Sequence, residues 1–134
     1  MLRKILDLLP AWTLSIVTLL VILWLTLAPK PLGDDPPQLF PGADKVVHAI
    51  MFGGFASMLL LDRQRKNGWK KIGWGTGLVC ATISALTGIL IEFCQASMGL
   101  GRGFEIADII ADTTGAYAFV WLYEILQKYW FRFH

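Results

Sequence analysis

The run Ala11 to Ala28, AWTLSIVTLLVILWLTLA, decides the fold class, because it continues for five helical turns without a single charge. A bilayer core takes about 20 apolar residues to cross as a helix. Working outward, three more runs of this kind follow, at about residues 45–61, 72–97 and 106–126. Beta-branched residues within them would weaken a helix in water, but in lipid the backbone must satisfy its own hydrogen bonds, and a helix does so within one segment. The expectation is an all-α membrane protein, a single domain over residues 1–134 built as a bundle of four transmembrane helices. Composition agrees: 55% of the 134 residues are hydrophobic and only 16% charged, against about 25% charged in a soluble domain. The composition argues against a free soluble enzyme and for a chain whose outer surface faces lipid. The net charge of +2 is spread along the chain, leaving no basic stripe for a phosphate backbone, so nucleic acid is not an expected partner.

Arg3 and Lys4 before the first run give it the look of a signal peptide. It is long for one, and Pro29 directly follows the only small-residue cleavage point, Ala28, so the run reads as an uncleaved anchor. Sorting charges by connection sets the orientation, since Lys and Arg stay cytoplasmic. The N-terminal tail, the connection with Arg63, Arg65, Lys66, Lys70 and Lys71, and the C-terminal tail hold nine of the twelve cations. Both termini therefore read as cytoplasmic. Trp69, Trp74, Tyr129 and Trp130 flank the inner helix ends, where amphipathic rings favour headgroups. The opposite side holds Lys30, Lys45 and Arg102 against seven acids. The Pro- and Gly-rich segment 29–43 reads as an extended outer connector, with a lid over an outward site as the alternative. Gly53 with Gly54 and Gly73 with Gly77 offer close helix approach. Cys80 and Cys94 lie about 21 Å apart along one helix, too far to join each other, and neither has a metal-binding neighbour.

The informative charges are those inside the spans. An ionisable group there costs a few kcal/mol even on lenient scales, roughly 2.5–3.5 at mid-helix, and faces a bundle interior or a water-filled cavity. Asp44 stands where it would cap the second span, with Lys45 and His48 sharing a face at i,i+3, and His48 about 6 Å below Asp44. Glu92 and Gln95 share a face of the third span. Glu105, Asp108 and Asp112 form one stripe of the fourth, continued by Gly115. Stacked carboxylates need cations, a shared proton or a metal in low dielectric. All these groups fall at the outer ends of their spans, which predicts one polar layer near the outer headgroup level, with Lys45 and Arg102 as its cations. His48, Glu92, Asp108 and Asp112 are imidazole and oxygen donors, but no HExxH or comparable signature accompanies them, so no metal or other cofactor is expected.

In this order and spacing, Asp44-Lys45-x-x-His48, Glu92-x-x-Gln95 and Arg102-x-x-Glu105-x-x-Asp108-x-x-x-Asp112-x-x-Gly115 resemble the VanZ-like family of small bacterial membrane proteins, over nearly the whole chain. Asp112 stands where that family commonly has asparagine, and Glu105 where a smaller polar residue or Asp is common. The extra carboxylate at Asp112 favours a cation or proton over a role for a neutral amide. The resemblance implies a cell-envelope role, the family being named for a member that raises tolerance to teicoplanin. Three functions fit the residues. In the first, Asp44, Lys45, His48, Glu92, Gln95, Arg102, Glu105, Asp108 and Asp112 line a pocket for an envelope lipid headgroup, a lipid-linked precursor or an amphipathic glycopeptide. In the second, the pocket is a lipid-headgroup hydrolase or transferase, with His48 as acid or base, Glu92 or Asp108 as its partner and Arg102 stabilising negative charge. In the third, Glu92 and Asp112 relay protons in a transporter, which four helices would build only as a homo-oligomer.

Overall fold

The computed structural model describes residues 1–28, 40–99 and 104–133, and these form five helices and no strand: α1 (Leu2–Asp7), α2 (Thr13–Leu27), α3 (Ala43–Lys66), α4 (Trp74–Ser97) and α5 (Ile106–Phe133). The charge-free run becomes α2, whose 15 residues rise about 22 Å. Among the described residues, α3 and α4 are long and apolar enough to cross a membrane, and α2 is a shorter apolar helix.

Two ends differ from the sequence reading. α3 runs on from residue 61 to Lys66, so Arg63, Arg65 and Lys66 lie in its last turn rather than in a connection. Cations there meet the free carbonyls and the negative end of the helix dipole, which favours extension. α5 continues from 126 to Phe133, and Gln127 in the added stretch is buried. α1 is a helix the apolar runs did not announce. It is held to the bundle by Arg65, whose Nη2 donates to the carbonyls of Leu6 (2.5 Å) and Leu9 (2.9 Å). Trp69 Nε1 donates to Asp7 Oδ1 at 2.8 Å, and the Arg3 guanidinium lies 5.2 Å from the ring centroids of both Trp69 and Trp130, within cation–π range.

α3 and α5 make the most extensive helix pair, followed by α4 with α5. Small residues set this closeness. A Cβ on Gly115 would run into the backbone of Ala49, and one on Gly53 would sit 2.5 Å from Phe119 Cδ1. Gly77 likewise faces Val120 at 2.9 Å, whereas Gly54 and Gly73 face open space. Of the four expected packing glycines, Gly53 and Gly77 serve.

The apolar core has two parts. One joins Ala56, Leu60, Ile72, Ala81, Ala116 and Val120; the other joins Ile22, Phe52, Phe55 and Ile91. Around them the distribution is inverted relative to a soluble domain. Ile16, Leu20 and Trp24 of α2, Ile50 of α3, Val79, Leu86 and Leu90 of α4, and Ile110, Trp121 and Leu126 of α5 are exposed, while Asp62, Glu92, Asp112, Glu124 and Gln127 are buried. A water-facing monomer rarely shows apolar patches beyond a few hundred Å². This is a membrane protein, with its greasy faces outward.

Candidate functional site

The polar layer forms where α3 and α5 begin and α2 and α4 end. α3 starts after Gly42, whose φ of 81° turns the chain into the helix, and its first two turns point Lys45 and His48 toward α5. Lys45 Nζ donates to Asp108 Oδ1 (2.5 Å) and Glu105 Oε2 (2.5 Å), and pairs with Asp44 Oδ2 at 2.9 Å. One turn deeper, His48 Nδ1 lies 2.9 Å from Asp112 Oδ1. With Asp112 ionised, a carboxylate only accepts, so Nδ1 is the donor of this pair and Nε2 is the ring atom left outside it. Nε2 stands 3.8 Å from Asp108 Oδ2.

Side-chain exposure falls steadily along this line, from 65% at Asp44 and 55% at Glu105 through 15% at His48 and 13% at Asp108 to 2% at Asp112. The layer is thus a funnel that narrows into the bundle. α4 adds Glu92 to its wall, and this side chain is 1% exposed. Glu92 Oε2 accepts the backbone N–H of Glu105 at 3.1 Å, which ties the chain ahead of α5 to α4, while Oε1 has no hydrogen-bond partner among the described residues. Gly88, one turn before Glu92, makes room for the Asp112 carboxylate: a Cβ there would lie 2.7 Å from Asp112 Oδ2. Donor atoms of His48, Glu92 and Asp108 lie within 4.8 Å of one another, as do those of Asp44, Glu105 and Asp108.

With the geometry in place, the comparisons with known proteins carry weight. The sequence profile described as VanZ/LLP1 matches residues 3–127. The chain belongs to the VanZ/LLP1 family. No curated protein and no solved structure matches it.

In this VanZ/LLP1 chain the structure brings Asp44, Lys45, His48, Glu92, Glu105, Asp108 and Asp112 into one layer. Asp44 does not cap α3: the N-cap is Gly42, and the Asp44 carboxylate turns to Lys45 instead. Gln95 is directed elsewhere. Its Nε2 donates to the Thr26 carbonyl at 2.7 Å, in the last turn of α2 where a carbonyl lacks a helical donor, so it clamps α4 to α2. Arg102 and residues 29–39 lie outside the described residues.

A second polar network occupies the opposite end, and sequence reasoning passed over it. Asp62 Oδ2 accepts both the N–H and the hydroxyl of Ser15 at 2.8 Å, and Oδ1 accepts Arg65 Nη1 at 2.5 Å. Nearby, Gln64 Nε2 donates to Gln127 Oε1 at 3.0 Å and Tyr123 donates to Gln64 Oε1 at 2.5 Å. Gln127 also meets both backbone groups of Ile72, and its Nε2 reaches buried Glu124 at 3.3 Å. In the sequence Asp62 and Glu124 entered only a count of charges. The i,i+3 pairs Asp62 with Arg65 and Glu124 with Gln127 were the available signal. Beside this network a cavity of about 330 Å³ lies under α1, lined by Leu6, Leu61, Trp69, Tyr123 and Trp130 among others. Its walls are apolar, and the layer of His48 and Asp108 is at the other end of the bundle.

Proposed function

We propose that this VanZ/LLP1 protein spans the bacterial cytoplasmic membrane with α2 to α5, both termini cytoplasmic, and that its polar layer opens outward to bind the headgroup of an envelope lipid, a lipid-linked precursor or an amphipathic glycopeptide. The observation that carries this reading is the funnel itself, with charged side chains from three helices converging at one end of a bundle whose flanks are apolar. Ionisable groups at membrane depth that are shared across helices and open at one end mark a ligand site more than a packing device. The charge balance of α3's last turn and of the tails, rich in Lys and Arg, supports the cytoplasmic assignment of the other end. Lys45 is already held by three carboxylates, so the described layer is rich in acceptors. It therefore suits hydroxyl and amine groups of a headgroup or glycopeptide better than a bare phosphate.

The test is retention of lipid through purification, read by mass spectrometry of the extracted complex. Asp108→Asn, which weakens the Lys45 contact and the funnel wall together, should cut retained headgroup lipid about tenfold, the loss of one charge-assisted hydrogen bond. Unchanged retention would contradict the reading. A second reading, hydrolysis or transfer at the headgroup, draws on the His48–Asp112 pair, which has the form of a base with its orienting carboxylate. It predicts a modified lipid that disappears in His48→Ala while binding persists.

A further inference from the structure

We propose that His48, Glu92 and Asp108 form a binding site for a divalent transition metal ion of the zinc type, with Asp112 orienting His48. Each of the three has one donor atom fixed by the protein. Asp108 Oδ1 is taken by Lys45 at 2.5 Å, His48 Nδ1 by Asp112 at 2.9 Å, and Glu92 Oε2 by the Glu105 N–H at 3.1 Å. Asp108 Oδ2, His48 Nε2 and Glu92 Oε1 are left over. Metal ligands are commonly held in this way, with a carboxylate on the far nitrogen of the histidine setting its tautomer.

The separation of His48 from Asp108 suits an ion better than a hydrogen bond. His48 Nε2 and Asp108 Oδ2 are 3.8 Å apart, too far to share a proton, yet close to the roughly 3.4 Å between two ligands of a tetrahedral ion at about 2.1 Å from each. A donor atom from each of the three lies within 4.8 Å of the others. Independent support comes from burial. Glu92 is 1% exposed, and its Oε1 has no hydrogen-bond partner among the described residues. An unpaired carboxylate oxygen at that depth is costly, and a cation offsets that cost.

The outer trio Asp44, Glu105 and Asp108 also meets the spacing, but the Lys45 ammonium stands among its oxygens and already supplies the charge. One imidazole with two carboxylates selects zinc, manganese or iron over calcium and magnesium, which take oxygen alone. Three protein ligands leave an open position, as in metal sites that act on or hold a ligand. This departs from the sequence reading, which expected no metal because no HExxH or comparable compact signature is present; the three donors come from three separate helices. The ion site does not depend on what the funnel binds, since every donor belongs to the chain.

The experiment uses full-length protein without an affinity tag, in detergent free of added lipid, so that its failure is distinct from failure of the headgroup reading. Zinc binding is measured by calorimetry and elemental analysis, and cobalt(II) is substituted to report geometry by its visible absorption. The expected result is about one zinc per chain and an intense tetrahedral cobalt spectrum. His48→Ala and Glu92→Gln should abolish both, Asp112→Asn should weaken affinity about 10–100-fold, and Asp7→Asn, exposed at the far end of the bundle, should leave it unchanged. Wild-type protein that takes up no stoichiometric zinc at saturation, or gives only a weak octahedral cobalt spectrum, overturns the site whatever the variants do. So does full zinc binding by a folded His48→Ala.

Discussion

Asp112 is 1% exposed, and three neighbours on three helices define it. His48 holds one oxygen, Gly88 makes room for the other, and Gly115 one turn later lets α5 approach α3. The two glycines separate function from stability. Gly88→Ala would place a methyl group 2.7 Å from Asp112 Oδ2 and 3.0 Å from its Cβ, which is relieved when the carboxylate rotates away from His48 and α5 gives by a few tenths of an ångström. That variant should remain folded, with a melting point within a few degrees of wild type in detergent, but lose retained lipid or metal. At Gly115 the obstacle is the backbone of Ala49, which cannot rotate away. Gly115→Ala should cost about 1–3 kcal/mol or more, the range for overpacking a core, seen as a clear loss of thermal stability. The carboxylates were legible in the sequence because a charge in an apolar run stands out. Gly88 was not, since a glycine between Thr87 and Ile89 carries no chemistry until the carboxylate it accommodates is placed.

At the scale of elements, the decisive unit is α3, which carries a polar cluster at each end. Its first two turns build the funnel, and its last turns hold Asp62 and Arg65 against α2 and α1. The Asp62 side chain is 0% exposed and that of Arg65 6%. Asp62→Ala should therefore destabilise the protein by about 3–5 kcal/mol, chiefly by leaving Arg65 buried without its counter-charge. The double variant Asp62→Ala, Arg65→Met should recover part of that loss. Additive losses in the double-mutant cycle, read from thermal melts, would show that the pair is not coupled. Sequence reading ended this helix at residue 61 because it followed apolar content, and hydropathy is blind to a charged helical turn whose members satisfy one another. For the same reason it gave no sign of α1, six residues long and held by contacts from Arg65, Asp7 and Arg3 that join distant parts of the chain.

Over the whole molecule, the apolar outside and polar inside form a single arrangement with a direction. One end gathers acids around Lys45 and His48, and the other gathers Arg3, Arg65 and the tryptophans around α1. The all-α class, a helix at each of the four apolar runs and the convergence of His48, Glu92, Asp108 and Asp112 were legible from apolar runs and residue spacing. The orientation of that axis in the membrane carries the functional account, because a funnel that opens outward meets outer-leaflet headgroups and drugs arriving from outside, and one that opens inward does not. Cysteine labelling measures it directly. With Cys80 and Cys94 replaced by serine, Phe40→Cys, just ahead of α3, should react with a membrane-impermeant maleimide in intact cells or spheroplasts. Lys66→Cys, at the far end of the same helix, should react only after the membrane is opened. Labelling of residue 66 from outside, with residue 40 protected, would contradict the account.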